Sequence, residues 1–200
     1  MKLNEKKFIM ASRGNNNNDY KKELYNLISV LPGEFMLLKK GALGKVLDVL
    51  WKLSSGNRTI YIFIRTKTNK SIQTFDERKI KQSIDNTLKL IKKEKNINCF
   101  FWFVGGDHLP NKSSHGGFRE NQLQQSFQQK LFKIQIYLQS SQIVRTAHAN
   151  AFTNKSFLSL IHDLGYGSKD VSVDKILDSL TTGEKFNKPL GIFLNKEDAN

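Results

Sequence analysis

Thr59-Ile60-Tyr61-Ile62-Phe63-Ile64-Arg65-Thr66-Lys67-Thr68 is a stretch in which two sets of side chains alternate. Ile60, Ile62 and Ile64 fall on one face, and Tyr61, Phe63, Arg65 and Lys67 share the other. A period of two carried by β-branched and aromatic residues predicts a strand over 59–68. Just upstream, Ser54-Ser55-Gly56-Asn57 has turn chemistry and closes a run rich in Val, Leu and Trp, 46–53. The short link makes these two runs a hairpin. An earlier strand-like run, 34–40, contains Phe35-Met36-Leu37-Leu38 and ends at Gly41.

Further towards the N-terminus the spacing changes. Leu24, Leu27, Ile28 and Leu31 recur at helical intervals, with Asp19 placed as N-cap and Pro32-Gly33 as the stop, which predicts a helix over 20–31. Residues 1–18 carry little pattern, and with the polar tract Asn15-Asn16-Asn17-Asn18 they read as a flexible N-terminal segment. Downstream of the hairpin, Ile80, Ile84, Leu88 and Ile91 form one apolar stripe among lysines. Asp76 and Glu77 sit in the first turn and lysines in the last, as a helix dipole prefers. Then 97–104, Ile-Asn-Cys-Phe-Phe-Trp-Phe-Val, is continuously apolar, the signature of a strand buried on both faces.

The core at 19–117 therefore reads helix, three strands, helix, strand. Helices are expected at 118–139, with Phe127, Leu131, Ile134 and Leu138 inward, at 155–164 before Gly165, and around Val173, Ile176, Leu177 and Leu180. This makes 118–200 a helical extension packed on the same domain.

The chain has 200 residues, 38% hydrophobic and 25% charged, which supports a core and excludes wholesale disorder. Thirty-two Lys+Arg against 18 Asp+Glu give a net charge of +14. An excess of that size on a domain of this length points to nucleic acid as the partner. Cys99 is the single cysteine, which excludes a disulfide framework and a cysteine zinc cage. No apolar run approaches the roughly 20 residues of a membrane span. Phe8-Ile9-Met10 is too short for a signal peptide, so a cytoplasmic protein with no membrane partner is expected.

The α-β-β-β-α-β order resembles that of the PD-(D/E)xK, or restriction-endonuclease-like, nucleases. That family has a mixed central sheet flanked by helices, with an acid on the second strand and a (D/E)-x-K pair on the third. The resemblance places Asp48, in Gly44-Lys45-Val46-Leu47-Asp48-Val49, and Lys67, in Ile64-Arg65-Thr66-Lys67-Thr68, at those positions. Ser12-Arg13-Gly14 followed by Glu23 also looks like archaeal-type Holliday-junction resolvases. The resemblance implies a DNA endonuclease that uses Mg²⁺ or Mn²⁺, hydrolyses phosphodiesters and is homodimeric. Asp48, Glu23 and Lys67 are its candidate catalytic residues, and Asp48 and Glu23 its candidate metal ligands. Such chemistry needs carboxylate oxygens for a hard cation and a lysine to steady the developing charge.

Arg65 stands where the family has Glu or Asp, two residues before Lys67, and Leu47 replaces the Pro before the acid. A guanidinium repels a cation. Either Glu23, Glu34, Asp76 or Glu77 completes the site, or the fold is retained as a catalytically inactive nucleic-acid-binding protein. Arg65, Lys40, Lys45 and Lys70 are then the candidate phosphate contacts, with DNA favoured over RNA. The third reading is a basic structural or assembly protein with an acidic partner.

Single residues also have plainer readings. Asp48 suits a hydrogen-bonded structural carboxylate, Lys67 a solvated strand end, Glu23 a solvated helix face, and Arg65 a salt bridge to Asp48. His108 and His115, seven apart in a glycine-rich loop, form no recognised zinc pattern. Cys99, Trp51 and Trp102 read as core.

Overall fold

A computed structural model describes residues 2–38, 47–68, 76–105, 118–182 and 191–193, with only the backbone described for 118–127 and 191–193. Among the described residues the helices are α1 (Leu3–Arg13), α2 (Asn17–Ile28), α3 (Glu77–Leu90), α4 (Phe118–Gln139), α5 (Asn154–Asp163) and α6 (Val173–Thr182). The strands are β1 (Glu34–Leu37), β2 (Val49–Ser55), β3 (Arg58–Lys67), β4 (Ile97–Gly105), β5 (Val144–Phe152) and β6 (Gly191–Phe193). The chain is thus α/β, and the expected helix, three strands, helix, strand order appears as α2-β1-β2-β3-α3-β4.

All six strands join one mixed sheet in which spatial order follows chain order, β1-β2-β3-β4-β5-β6. The first three form an antiparallel meander, and β4, β5 and β6 continue parallel to β3. The alternation of β3 decides the layering. Ile60, Ile62 and Ile64 join Trp51, Trp102, Phe152 and the buried stripes of α1, α2, α5 and α6. Tyr61 and Phe63 join Phe101, Phe103 and the stripes of α3 and α4. The result is a three-layer sandwich with the sheet in the middle. Trp51 and Trp102 are fully buried and meet edge to face at 6.2 Å. A fully buried large apolar side chain contributes about 1.5–3 kcal/mol from area alone, so this aromatic layer is a main source of stability.

The N-terminal segment expected to be flexible is instead helix from Leu3, with Phe8 fully buried against Tyr20 and Phe157. Its inward face consists of Glu5, Phe8 and Ser12. Two of those three are polar, so no apolar stripe announced the helix. Glu5 meets His162 of α5 at 3.2 Å, and Ser12 accepts from the Asn154 side chain, whose oxygen accepts from Tyr20. The next helix begins at Asn17 with Asn16, not Asp19, as its cap.

The expected helical extension over 118–200 also contributes strands. β5 runs through Ala147, Ala149 and Ala151, which pack on α4 because small side chains let that helix approach the sheet. Turn geometry explains one glycine. Gly33 adopts φ +119° between α2 and β1, where a Cβ would lie 2.5 Å from the Trp51 indole nitrogen and 2.7 Å from the Lys52 carbonyl. No described helix is long and apolar enough to cross a membrane.

Candidate functional site

Because β3, β4 and β5 are parallel, their C-terminal ends come to one edge of the sheet, where Lys67 lies opposite Gly105 and Val104 opposite Phe152. The antiparallel β2 begins at that same edge, which puts Asp48 there. Its amide donates to the Ile64 carbonyl and its carbonyl accepts from the Leu38 amide, both at 2.9 Å. The side chain then continues the ladder: Oδ2 accepts from the Thr66 amide at 2.6 Å and from the Thr66 hydroxyl at 2.9 Å. An aspartate that stands in for a backbone carbonyl fixes the end of the sheet and is itself held in one orientation.

Cations close around this carboxylate. Arg65 Nη1 donates to both oxygens at 3.2 and 3.3 Å, and Lys21 Nζ lies 4.0 Å from Oδ1 while donating to the Leu38 carbonyl. The Asp48, Arg65 and Lys21 side chains retain only 9%, 13% and 12% of their exposure. Lys67 comes from the same strand. Burial pushes its pKa below the usual lysine value, the neighbouring Arg65 pushes the same way, Asp48 opposes, and Lys79 adds a smaller downward push. That sign marks a desolvated site with a positive balance at Lys67.

Helix α2 is anchored at this edge by Asn17, whose side-chain oxygen accepts from the Thr68 amide at 3.0 Å. Lys21, one turn on from Asn17, is therefore the residue α2 presents to Asp48. Glu23 lies two residues beyond Lys21, roughly 200° around the helix, and is directed away from it. Glu34 stands at the far end of β1, opposite Lys52. Asp76 caps α3 and accepts from the Lys79 amide at 3.1 Å. Glu77 pairs with Lys81 at 2.7 Å and with Lys133 of α4 at 3.7 Å.

The structure thus brings Arg65 and Lys67, which the alternation put on one face, together with Asp48, which the resemblance singled out, and leaves the four candidate acids apart. Both oxygens of Asp48 already face donors, and no group of three or more His, Cys, Asp or Glu side chains converges among the described residues. This donor set does not fit a hard divalent cation, which demands several oxygen ligands at once. It is suited to an anion. Arg65 uses Nη1 on Asp48 and, among the described residues, makes no bond through Nη2 or Nε, which is the half of its fork that can grip a phosphate.

Lys21, Thr66 and Asn17 escaped the sequence reading. An asparagine and a lysine spaced i, i+4 at the helix start were the available signal, obscured by placing the cap three residues late. Lys40, Lys45, Lys70, His108 and His115 lie outside the described residues. Cys99 is buried in β4 and its thiol is pushed up to about 12 by burial, so it stays protonated. No family model, no curated protein and no solved structure matches the chain.

Proposed function

We propose that this protein binds nucleic acid through the sheet edge at Asp48, using a restriction-endonuclease-like core whose acidic centre has become a phosphate-holding site. The observation that carries this reading is the direct contact of Arg65 with Asp48, at 3.2 Å. Arginine at the position of the second acid turns the first acid into a counter-ion, and the carboxylate then orients a guanidinium instead of a metal. Lys21 and Lys67 extend the positive surface, and the net charge of +14 supplies the long-range attraction. DNA is the favoured polymer, bound by one chain or by a homodimer.

The test is fluorescence anisotropy of labelled duplex DNA and of single-stranded RNA over a salt series. Affinity is expected to fall steeply with salt, and Arg65→Ala or Lys21→Ala to reduce the log–log slope by about one each, measured at a temperature where a thermal melt shows each variant folded. Salt-insensitive binding, or none, overturns the reading and leaves a protein partner.

A second reading keeps catalysis, and one observation favours it: β3 carries Lys67 to the same sheet edge as Asp48, whose charge acts on the amine while burial and Arg65 together hold its pKa low. Plasmid cleavage with Mg²⁺ and with Mn²⁺, beside Asp48→Asn, separates the two. Metal-dependent nicking lost in the variant makes the protein an endodeoxyribonuclease; intact plasmid with salt-sensitive binding makes it a binding protein.

A further inference from the structure

At the opposite side of the hairpin, β1 and β2 meet the C-terminal turn of α3 around a cavity of about 380 Å³. Met36 from β1, Leu50 and Tyr61 from the meander, and Leu90 and Ile91 from the helix end give it apolar walls, beside Glu34 and the Lys52–Glu94 ion pair, which also line it. Met36 and Leu90 remain 46% and 52% exposed, so an apolar lip faces solvent. Lys89, Lys92 and Lys93 rim the same opening, and no described acid pairs with any of the three. Above it, β1 is the end strand of the described sheet, and among the described residues no strand pairs with its outer amides and carbonyls.

We infer that this groove receives an extended acidic peptide, which adds as a strand to β1, sets alternate apolar side chains between Met36 and Leu90, and meets Lys89, Lys92 and Lys93 with its carboxylates. Three features select that occupant. An open strand edge offers main-chain hydrogen bonds, and the adjoining cavity offers pockets for every second side chain. The lysines require negative charge, so a second copy of this chain, itself at +14, is the wrong partner. Single-stranded nucleic acid is disfavoured because bases stack on open aromatic faces. Tyr61 is 3% exposed, and its hydroxyl is engaged by Glu94, which also holds Lys52.

The experiment is anisotropy of labelled peptides of about eight residues, in which Ile, Leu or Val alternates with Asp or Glu, against the full chain. Hydrogen exchange of the complex reports the place. Saturable binding is expected, with slowed exchange at 34–37. It should weaken by about tenfold or more in the triple variant Lys89→Glu, Lys92→Glu, Lys93→Glu, and comparably in Met36→Ser with Leu90→Ser. All five positions are at the surface, and a thermal melt checks that the variants fold. The proposal is overturned by absence of binding, by equal affinity for a peptide with Asn and Gln in place of the acids, by protection elsewhere, or by RNA displacing the peptide from 34–37.

Discussion

Two carboxylates serve the same hairpin at its two ends and show what position does to a charge. Asp48, at the start of β2, is enclosed by the Thr66 amide and hydroxyl, the Arg65 guanidinium and the nearby Lys21 amine. Glu94, beyond α3, also has two partners, the Lys52 amine at 3.2 Å and the Tyr61 hydroxyl at 3.1 Å, but its side chain keeps 35% of its exposure. Water does much of the work for Glu94 and little for Asp48. Removing a partner is therefore costly at one end and minor at the other. Enclosed charge can orient a ligand group, whereas the wet pair only flanks the rim of a groove.

The largest expected effect breaks the enclosed end. Asp48→Ala strands the Arg65 guanidinium in a mostly buried place and should lower unfolding free energy by about 3–5 kcal/mol in urea denaturation. A loss below about 1 kcal/mol would mean that the two ends are equivalent.

The second effect sharpens the comparison through pH. The pKa of Lys67 lies below 10.5 in the folded protein, with burial the first cause. Between that lowered pKa and 10.5 the unfolded chain binds the extra proton, so the Lys67 contribution to stability rises with pH across that window. Anion binding requires the protonated amine, so nucleic-acid affinity should fall across the same window. Lys67→Arg, which stays charged, should flatten the alkaline fall in a titration of affinity against pH. An unchanged profile in the variant would remove Lys67 from the site.

The smallest effect concerns the exposed end. Lys52 and Tyr61 hold the Glu94 carboxyl below its ordinary pKa of 4.5, so its contribution is present above that value and fades as pH falls through the lowered one. Solvent screening leaves Glu94→Gln at about 0.5 kcal/mol, read from the same denaturation curves at neutral pH.

Much of this fold could be read from residue order, because long periodic segments carry their own signal. The alternation of 59–68, the stripe of Ile80 and Ile84 and the unbroken apolar run of β4 each correspond to an observed element. What escaped was hidden by chemistry that mimics a loop. Helix α1 buries Glu5 and Ser12 beside Phe8, and β5 packs through alanines instead of branched residues. The site was half legible for the same reason. Alternation puts Arg65 and Lys67 on one face and the nuclease resemblance singles out Asp48, but neither marks which residue of α2 faces them. Glu23 stood out as the acid that the resemblance asks for on that helix, whereas Lys21, four residues from the Asn17 that begins it, is the one beside Asp48.

The sheet whose spatial order follows chain order bears on how the protein is made. Each strand finds its partner already present when it leaves the ribosome, so the sheet can lengthen in step with synthesis, without waiting for a distant segment. The aromatic layer cannot be sealed so early. Phe8 emerges among the first residues, yet its partner Phe157 belongs to α5, near the other end of the chain. Until α5 arrives, Phe8 and Trp102 both lack a wall that the finished protein supplies. The nascent chain is thus a growing sheet with one unsealed face, which the docking of α5 against α1, and then of α6, closes.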